Sequence, residues 1–487
     1  MVQFDLSPSS ENMSTQDFWD AVFTPKAVTV VGKTGAPAKG GSMYVNALST
    51  FGFNGTLYVV STDNGGGLGY ETYDRIEDLP IGIDYAILAV PAVEVPDAVR
   101  GLATKGVRVV HVFSSGFSDL ENTEGDARTE ALKSAARDTG IRIIGPNCLG
   151  VFSPTSGLTY PPGVFPRERG RIGFISQSGG SAQSLAWSGK YHGMYLSKAV
   201  SLGNSIDLSV EEFLAYLIDD DETDIIALYL EGTSDGRRLV ELLTRAARKK
   251  PVVVFKVGLT EAGGRAVSSH TGIMAGSGHL WEAALHQSGS VMVETFDELA
   301  ETLSALDKLT RKPKAVRPGI RVALVNRGGG EGVIAADVLP RMGLHVTPYT
   351  DETVGRIADL IPDAGTGFKN PLDFSAVGGY PGIFEKMLDI IDEDEATDTI
   401  IYQHHIEFAH LFREGYNRYL MEALADFNDR SKKALYVVLP LYYSGEEWLE
   451  SLMYLAGRGV PVSPTIAAAA KVVANVTACF NRNRGNK

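Results

Sequence analysis

The chain has 487 residues, more than a single hydrophobic core serves, so about three domains of roughly 150 residues each are expected. Its formal net charge of −14 excludes the basic footprint of a nucleic-acid binder, and its two cysteines, Cys148 and Cys479, argue against a disulfide framework or a zinc cluster. The opening residues carry no basic n-region or apolar core, and no run approaches the roughly 18 apolar residues of a membrane span, so a cytoplasmic protein is expected.

After an N-terminal extension (1–20), short apolar runs alternate with helical patterns. AVTVV (27–31), TLYVV (56–60), YAILAV (85–90), VRVVHVF (107–113) and IRIIG (141–145) predict the parallel strands of a doubly wound α/β domain over 21–150. A second series, RIGFIS (171–176), DIIALYLEG (224–232) and PVVVFKVG (251–258), predicts another α/β domain over 151–310. A basic, proline-containing linker (311–320) precedes a third series over 321–487: RVALVN (321–326), HVTPY (345–349), TIIYQHH (399–405) and ALYVVLP (434–440).

The second and third series read as a duplication. RIGFISQSGG (171–180) aligns with RVALVNRGGG (321–330) without a gap. Asn204-x-x-Asp207 pairs with Asn370-x-x-Asp373, and Thr223-Asp224 with Thr397-Asp398, each pair preceding or following a strand in the same order.

Four features carry chemistry. GKTGAPAKGG (32–41) follows the first strand, and a glycine-rich strand-to-helix turn lets backbone N–H groups approach a phosphate. Its spacing is not G-x-G-x-x-G, and the only acid after the second strand is Asp63. The turn therefore suits a phosphate-bearing cofactor better than NAD, or else a plain glycine turn. GLTEAGGRAVSSHTGIMAGSGH (258–279) reads as a long loop of small residues. His270 in its middle suits a nucleophile that must change position; taken alone, a surface histidine in a flexible loop is the commoner reading. Ser178-Gly179-Gly180 and Gly328-Gly329-Gly330 predict two helix starts whose free N–H groups, if they faced each other, could cradle one phosphoryl group. Glu231, closing the strand run 224–231, could accept the Nδ1–H of a histidine and leave Nε2 as nucleophile. For Cys148 a buried structural thiol is the commoner role, since no histidine partner is identifiable.

Taken together, GPNCLG (145–150), ISQSGG (175–180), VSLGN (200–204), LYLEG (228–232), KPVVVFK (250–256) and SSHTG (268–272) resemble the NDP-forming acyl-CoA synthetases. These include ADP-forming acetyl-CoA synthetase, through its alpha-type subunit, and more distantly succinyl-CoA synthetase. The resemblance runs from about residue 21 to about residue 380. It implies a Rossmann-like CoA-binding domain followed by two flavodoxin-like ligase domains. It also implies an acid–thiol ligase: carboxylic acid, CoA and ATP yield acyl-CoA, ADP and phosphate through a phosphohistidine. By motif position the histidine is His270 and its supporting glutamate Glu231. Phosphate would rest on Ser178, Gly179, Gly180, Gly328, Gly329 and Gly330. Coenzyme A contacts would fall on Gly32, Lys33, Thr34, Gly35, Ser61, Val90, Pro91, Ser114, Ser115, Gly116 and Asn147, with no metal on this chain.

The sequence departs from the family pattern at Arg327 and Glu331, where an alanine and a proline are usual, and at Asn64, where succinyl-CoA synthetases carry a lysine. His404 and His405 stand where no histidine is expected; they shape acid specificity or merely pack. No glycine-rich nucleotide lid follows residue 320, so ATP or GTP with Mg is expected on a separate ATP-grasp (beta-type) subunit, in a cytoplasmic hetero-oligomer. The absence of a basic pair points to a small monocarboxylic acid, aliphatic or aryl. A nucleotide-independent acyl or carbamoyl transferase, or a non-catalytic CoA-binding protein, are the competing readings. Neither gives SSHTG a task.

Overall fold

The computed structural model describes residues 14–36, 40–63, 68–271, 277–312, 316, 318–360, 367–374, 382–409, 414–442 and 445–482, with backbone alone at 268–271, 408 and 482. Lys39, Asn64 and Gly272 lie outside the described residues, as does the side chain of His270.

The strands are β1 (Ala27–Gly32), β2 (Thr56–Ser61), β3 (Glu71–Tyr73), β4 (Tyr85–Ala89), β5 (Val109–Val112), β6 (Arg142–Ile144), β7 (Gly150–Phe152), β8 (Ile172–Ser176), β9 (Leu196–Ser201), β10 (Ile225–Leu230), β11 (Val252–Lys256), β12 (Val291–Val293), β13 (Arg321–Asn326), β14 (His345–Val346), β15 (Leu372–Asp373), β16 (Thr399–Gln403), β17 (Ala434–Val438) and β18 (Val462–Ser463). Most are apolar along their whole length because helices cover both faces of a parallel sheet. β5, β8, β9, β16 and β17 are buried at every position.

The first sheet runs β3-β2-β1-β4-β5-β6, all parallel, the strand order of a dinucleotide-binding fold. The second runs β12-β11-β10-β8-β9-β7 and the third β14-β13-β16-β17-β18. In the third, β15 also pairs β13; counted from β8, and from β13 with β14 and β15 taken as one position, both give the flavodoxin-like order 2-1-3-4-5, and β7 adds an antiparallel edge to the second. In all three, ligands are expected beyond the carboxyl ends of the strands.

By contacts the chain divides into two compact units, Met1–Trp187 with Tyr195–Ala246 and Val254–Ser288, and Ser188–Met194 with Ala247–Val253 and Gly289–Lys487. The first contains an apolar core built around Val31, Leu88, Val110, Val112, Phe117 and Leu132. The core of the second gathers Val325, Phe374, Phe384, Tyr402, Leu424 and Val437.

The duplication is visible in side-chain chemistry. Arg171, opening β8, pairs with Asp224 at 2.7 Å; Arg321, opening β13, pairs with Asp398 at 2.5 Å. Thr223 bonds Asp220, and Thr397 bonds Asp394 in the same way. The Asn-x-x-Asp correspondence does not hold. Asp373 lies opposite Asn326, whereas the position opposite Ser176 is Ser201. The counterpart of Asp373 is therefore Ser201, and Asp207 instead binds Arg142 and the Ile143 N–H in the first unit.

The long loop expected at 258–279 is also corrected. Glu261–Thr271 and Gly278–Ser288 are helices. Thr260 Oγ1 caps the first by accepting the Gly263 N–H at 3.1 Å, and Glu261 pairs with Arg265 one turn on. These local interactions outweigh the helix-weakening glycines at 263 and 264. His270 thus sits in the last turn of a helix rather than in mid-loop.

Candidate functional site

In the first unit, the turn after β1 needs glycine at two places. A Cβ on Gly32 would come within 2.7 Å of the Ala89 carbonyl, and Gly40 has φ +61°. Thr34 Oγ1 and Ser61 Oγ lie 2.8 Å apart, bringing the β1 and β2 tips together. Asp63 then takes the N–H groups of Thr34 (2.9 Å) and Gly35 (3.2 Å). The donors expected to meet a phosphate are thus already engaged by a carboxylate of the same chain, a role the sequence reading did not give to Asp63.

Along the same sheet edge, the Ser114 hydroxyl donates to the Val90 carbonyl, and the Asn147 N–H donates to Ser114 O at 3.0 Å. Pro91 O accepts the Glu94 N–H ahead of the helix Val95–Ala103, and Ser115 precedes Gly116, whose φ is +103°. Gly116 N–H is taken by Asp119 at 2.9 Å. Asp119 also accepts from Asn204, so the loop after β9 is tied to the loop after β5. Lys33 is exposed at the turn.

A cleft opens where these loops meet the start of the helix Gly179–His192. Phe113, Asn147, Leu149, Gln177, Ser178, Gly180 and Asn204 line it. Cys148 also borders it, but burial pushes its thiol well up, and its Sγ lies near the Val112 and Ile144 carbonyls. The thiolate needed for nucleophilic attack is therefore disfavoured. Neighbouring His111 is fully buried, held down to about 4 by desolvation, and bonded to the Cys148 carbonyl.

Glu231 follows β10 directly and is buried. Gln177 Oε1 accepts the N–H groups of Glu231 (2.6 Å) and Gly232 (3.1 Å). Lys256 Nζ donates to the Glu231 carbonyl at 2.8 Å. Desolvation drives Lys256 down to about 8, while Glu231 opposes that shift. Gln177 and Lys256 were missed by sequence reasoning. A lysine closing the apolar strand VVVFK is the signal that could have found the second.

In the second unit, Gly328 has φ +105° and precedes the helix Gly329–Arg341. Asp373 accepts its N–H at 2.9 Å. Arg327, the counterpart of Gln177, is buried. Glu331 accepts from Gln403 at 3.1 Å. His404 is fully buried, lowered to about 4 by desolvation, and bonded to Asn417 at 2.8 Å, so it packs as a neutral ring. His405 lies between Gln403 and Glu407. By strand register it is the counterpart of Glu231. Among the described residues no group of three or more acidic, histidine or cysteine side chains forms a metal site, and no helix is long and apolar enough to cross a membrane.

Comparison with known proteins agrees with this layout. A CoA binding domain model matches residues 26–154, and a succinyl-CoA ligase like flavodoxin domain model matches residues 169–306. Acetate–CoA ligase [ADP-forming] I of Archaeoglobus fulgidus is 35% identical over 383 residues, covering 78% of this chain and 54% of its own length. This chain therefore spans about half of that relative. The alpha subunit of acetate–CoA ligase [ADP-forming] I of Pyrococcus furiosus is 34% identical over 362 residues, covering 74% of this chain and 77% of the subunit. The structure of Ca. Korarchaeum cryptofilum dinucleotide forming acetyl-coenzyme A synthetase 1, in complex with phosphate and ADP, superposes with a TM-score of 0.80 at 26% identity. It covers 95% of this chain and 97% of that one.

Proposed function

Because the chain belongs to the family of ADP-forming acetate–CoA ligases, we propose that it is the CoA-binding subunit of an acyl-CoA synthetase that forms a thioester through phosphohistidine 270. Its domains are then the CoA-binding domain over 21–150 and the ligase domains over 151–310 and 321–487. A separate ATP-grasp subunit supplies the nucleotide with Mg, a reading supported by the alpha-subunit designation of the Pyrococcus relative. The acid is a small monocarboxylate.

The observation that carries the mechanism is the placement of Glu231. It is a buried carboxylate at a strand end, its backbone clamped by Gln177, and Gln177 lines the cleft together with Ser178, Gly179 and Gly180. In the proposed mechanism the role of Glu231 is to accept the Nδ1–H of His270 during transfer, fixing the tautomer and stabilising the ring charge that develops as Nε2 takes the phosphoryl group. The N–H groups opening the helix Gly179–His192 stabilise the phosphoryl oxygens.

Coenzyme A supplies the thiol that accepts the acyl group. The turn at Gly32 fits it, since its approach would be filled by any Cβ. Lys33, Thr34, Gly35, Ser61, Val90, Pro91, Ser114, Ser115, Gly116 and Asn147 are the residues offered to it. For Thr34 and Gly35 to donate to a phosphate, Asp63 must release both N–H groups.

The test uses this chain with an ATP-grasp partner and γ-labelled ATP. Acid-labile, base-stable label is expected on the wild type and absent from His270→Asn, with CoA affinity retained. Label that persists in His270→Asn overturns the assignment.

A further inference from the structure

A lysine whose ammonium is withdrawn from water is costly unless something in the fold uses its charge. Lys256 is such a residue, 2% exposed at the end of β11. Its Nζ donates to the carbonyls of Glu231 and Val257 and lies 4.8 Å from the centroid of the Trp281 ring. Trp281 stands on the helix Gly278–Ser288, which returns the chain after the SSHTG segment. On its other side, Glu231 gives its N–H to Gln177. The peptide units flanking Glu231 are therefore held from both directions. One holder borders the phosphate cleft, and the other contacts the helix that follows the histidine segment.

We propose that Lys256 is a positioning residue for phosphoryl transfer: its ammonium anchors the Glu231 carbonyl, so that the Glu231 carboxylate keeps one orientation to receive the histidine Nδ1–H. The inference rests on the phosphohistidine reading above. A side chain serving only to fill space would be met by methionine, which matches the stem of lysine but offers no donor. The chemistry here needs the donor and the charge. The carbonyl has to be bonded from a fixed direction, and a positive charge beside a buried carboxylate favours its ionised form.

The group titrates in an accessible range. Desolvation has brought Lys256 to about 8, and Glu231 limits the fall. Among the described residues, Glu231 and the Trp281 ring face it. Above about 8 the ammonium loses its proton, one donor and its charge.

The experiment compares wild type, Lys256→Met and Lys256→Arg in the complex with the ATP-grasp partner. Single-turnover labelling from γ-labelled ATP is followed across pH, with CoA affinity measured in parallel by calorimetry. Wild-type labelling should slow as pH rises through about 8. Lys256→Met should label about tenfold more slowly below pH 8, with the gap narrowing above it, while binding CoA as the wild type does, the scale expected when a catalytic partner is misplaced by a fraction of an ångström. Lys256→Arg should recover part of the rate and lose the high-pH decline, because a guanidinium stays protonated. Wild-type labelling by Lys256→Met, or a high-pH decline unchanged in Lys256→Arg, overturns the inference. So does a wild-type rate flat through pH 8, which is readable even if the methionine variant fails to fold. A wild type that takes up no acid-labile label fails the phosphohistidine reading itself, and the positioning role falls with it.

Discussion

The two repeats follow aligned strands with aligned helix starts, yet surround those starts with opposite chemistry. At the end of β8 the environment is neutral: Ser178 N–H meets the Ser176 hydroxyl at 3.2 Å, that hydroxyl donates to Ser178 O, and Ser181 N–H meets Ser178 Oγ. At the end of β13, Asn326 Nδ2 donates to Gly328 O at 2.7 Å, repeating the Ser176 bond. There, however, the leading N–H is given to the Asp373 carboxylate, and Glu331 occupies the first turn. Both helices offer the positive end of a dipole. The second partly spends that potential on carboxylates of its own chain. The repeats share a scaffold and differ in the side chains at these starts, so under the proposed function the first start should take phosphate more readily.

The largest expected effect comes from the glycines that open the two helices. A Cβ on Gly179 would press within 3.1 Å of Leu149 Cγ and 3.3 Å of Cδ1, in the loop that lines the cleft, whereas a Cβ on Gly329 meets only Asp373 Oδ2 at 3.9 Å. Gly179→Ala should slow histidine labelling about tenfold, the equivalent of 1–2 kcal/mol of overpacking. Gly329→Ala should slow labelling less than Gly179→Ala and raise stability by about 0.5–1 kcal/mol, since alanine restricts the unfolded chain more than glycine does. Labelling rates and thermal midpoints of both variants decide the point. Equal damage from the two would show that steric access does not separate the repeats.

A smaller effect sharpens the electrostatic side. Glu331→Gln removes a negative charge from the second helix start while leaving an amide able to bond Gln403. Inorganic phosphate should then bind the full chain about two- to fivefold more tightly, the worth of one nearby charge partly screened by solvent. Phosphate titration followed by 31P NMR measures it. An affinity unchanged by the substitution would mean that Asp373 alone governs that start.

Much of this was legible in the chain because fully covered parallel strands leave continuous apolar runs. Most runs became strands within a residue or two at each end, although HVTPY (345–349) shrank to His345–Val346, and the ungapped match of 171–180 with 321–330 disclosed the repeat. Glu231 was legible as the acid closing such a run. What failed depended on partners that spacing does not encode. Asn370-x-x-Asp373 resembles Asn204-x-x-Asp207 in order, but only strand register reveals that Asp373 stands where Ser201 does. The helix Glu261–Thr271 was hidden by its glycines and serines, and its start is set by the Thr260 cap. β3 and β7, three residues each, were too short to leave a pattern. The engagement of Asp63 with Thr34 and Gly35 joins residues about thirty positions apart, beyond any local signal.

The smallest effect concerns the feature the repeats share most closely, the arginine that opens each first strand. Arg171 and Asp224 are 28% and 48% exposed; Arg321 and Asp398 are 45% and 30% exposed. Solvent screens both pairs, so each should contribute no more than about 0.2–1 kcal/mol in a double-mutant cycle. They should not be equal. Arg321 also donates to the Glu395 carbonyl at 3.1 Å and bonds Asp398 through both Nε and Nη2, giving the second repeat a forked contact. The Arg321 hydrogen bonds hold the Asp398 carboxyl below its ordinary value of 3.8. Because that value is depressed in the folded state, the pair's contribution is fully present above 3.8 and is lost as pH falls through the lower folded value. Thermal midpoints of Arg171→Ala, Arg321→Ala, Asp224→Ala, Asp398→Ala and the two double variants, taken at neutral and acidic pH, measure both couplings. The Arg321–Asp398 coupling should exceed the Arg171–Asp224 coupling at neutral pH and shrink in acid. A larger coupling in the first repeat would mean that the forked geometry of Arg321 adds nothing to the pair, and the repeats would then differ only at their helix starts.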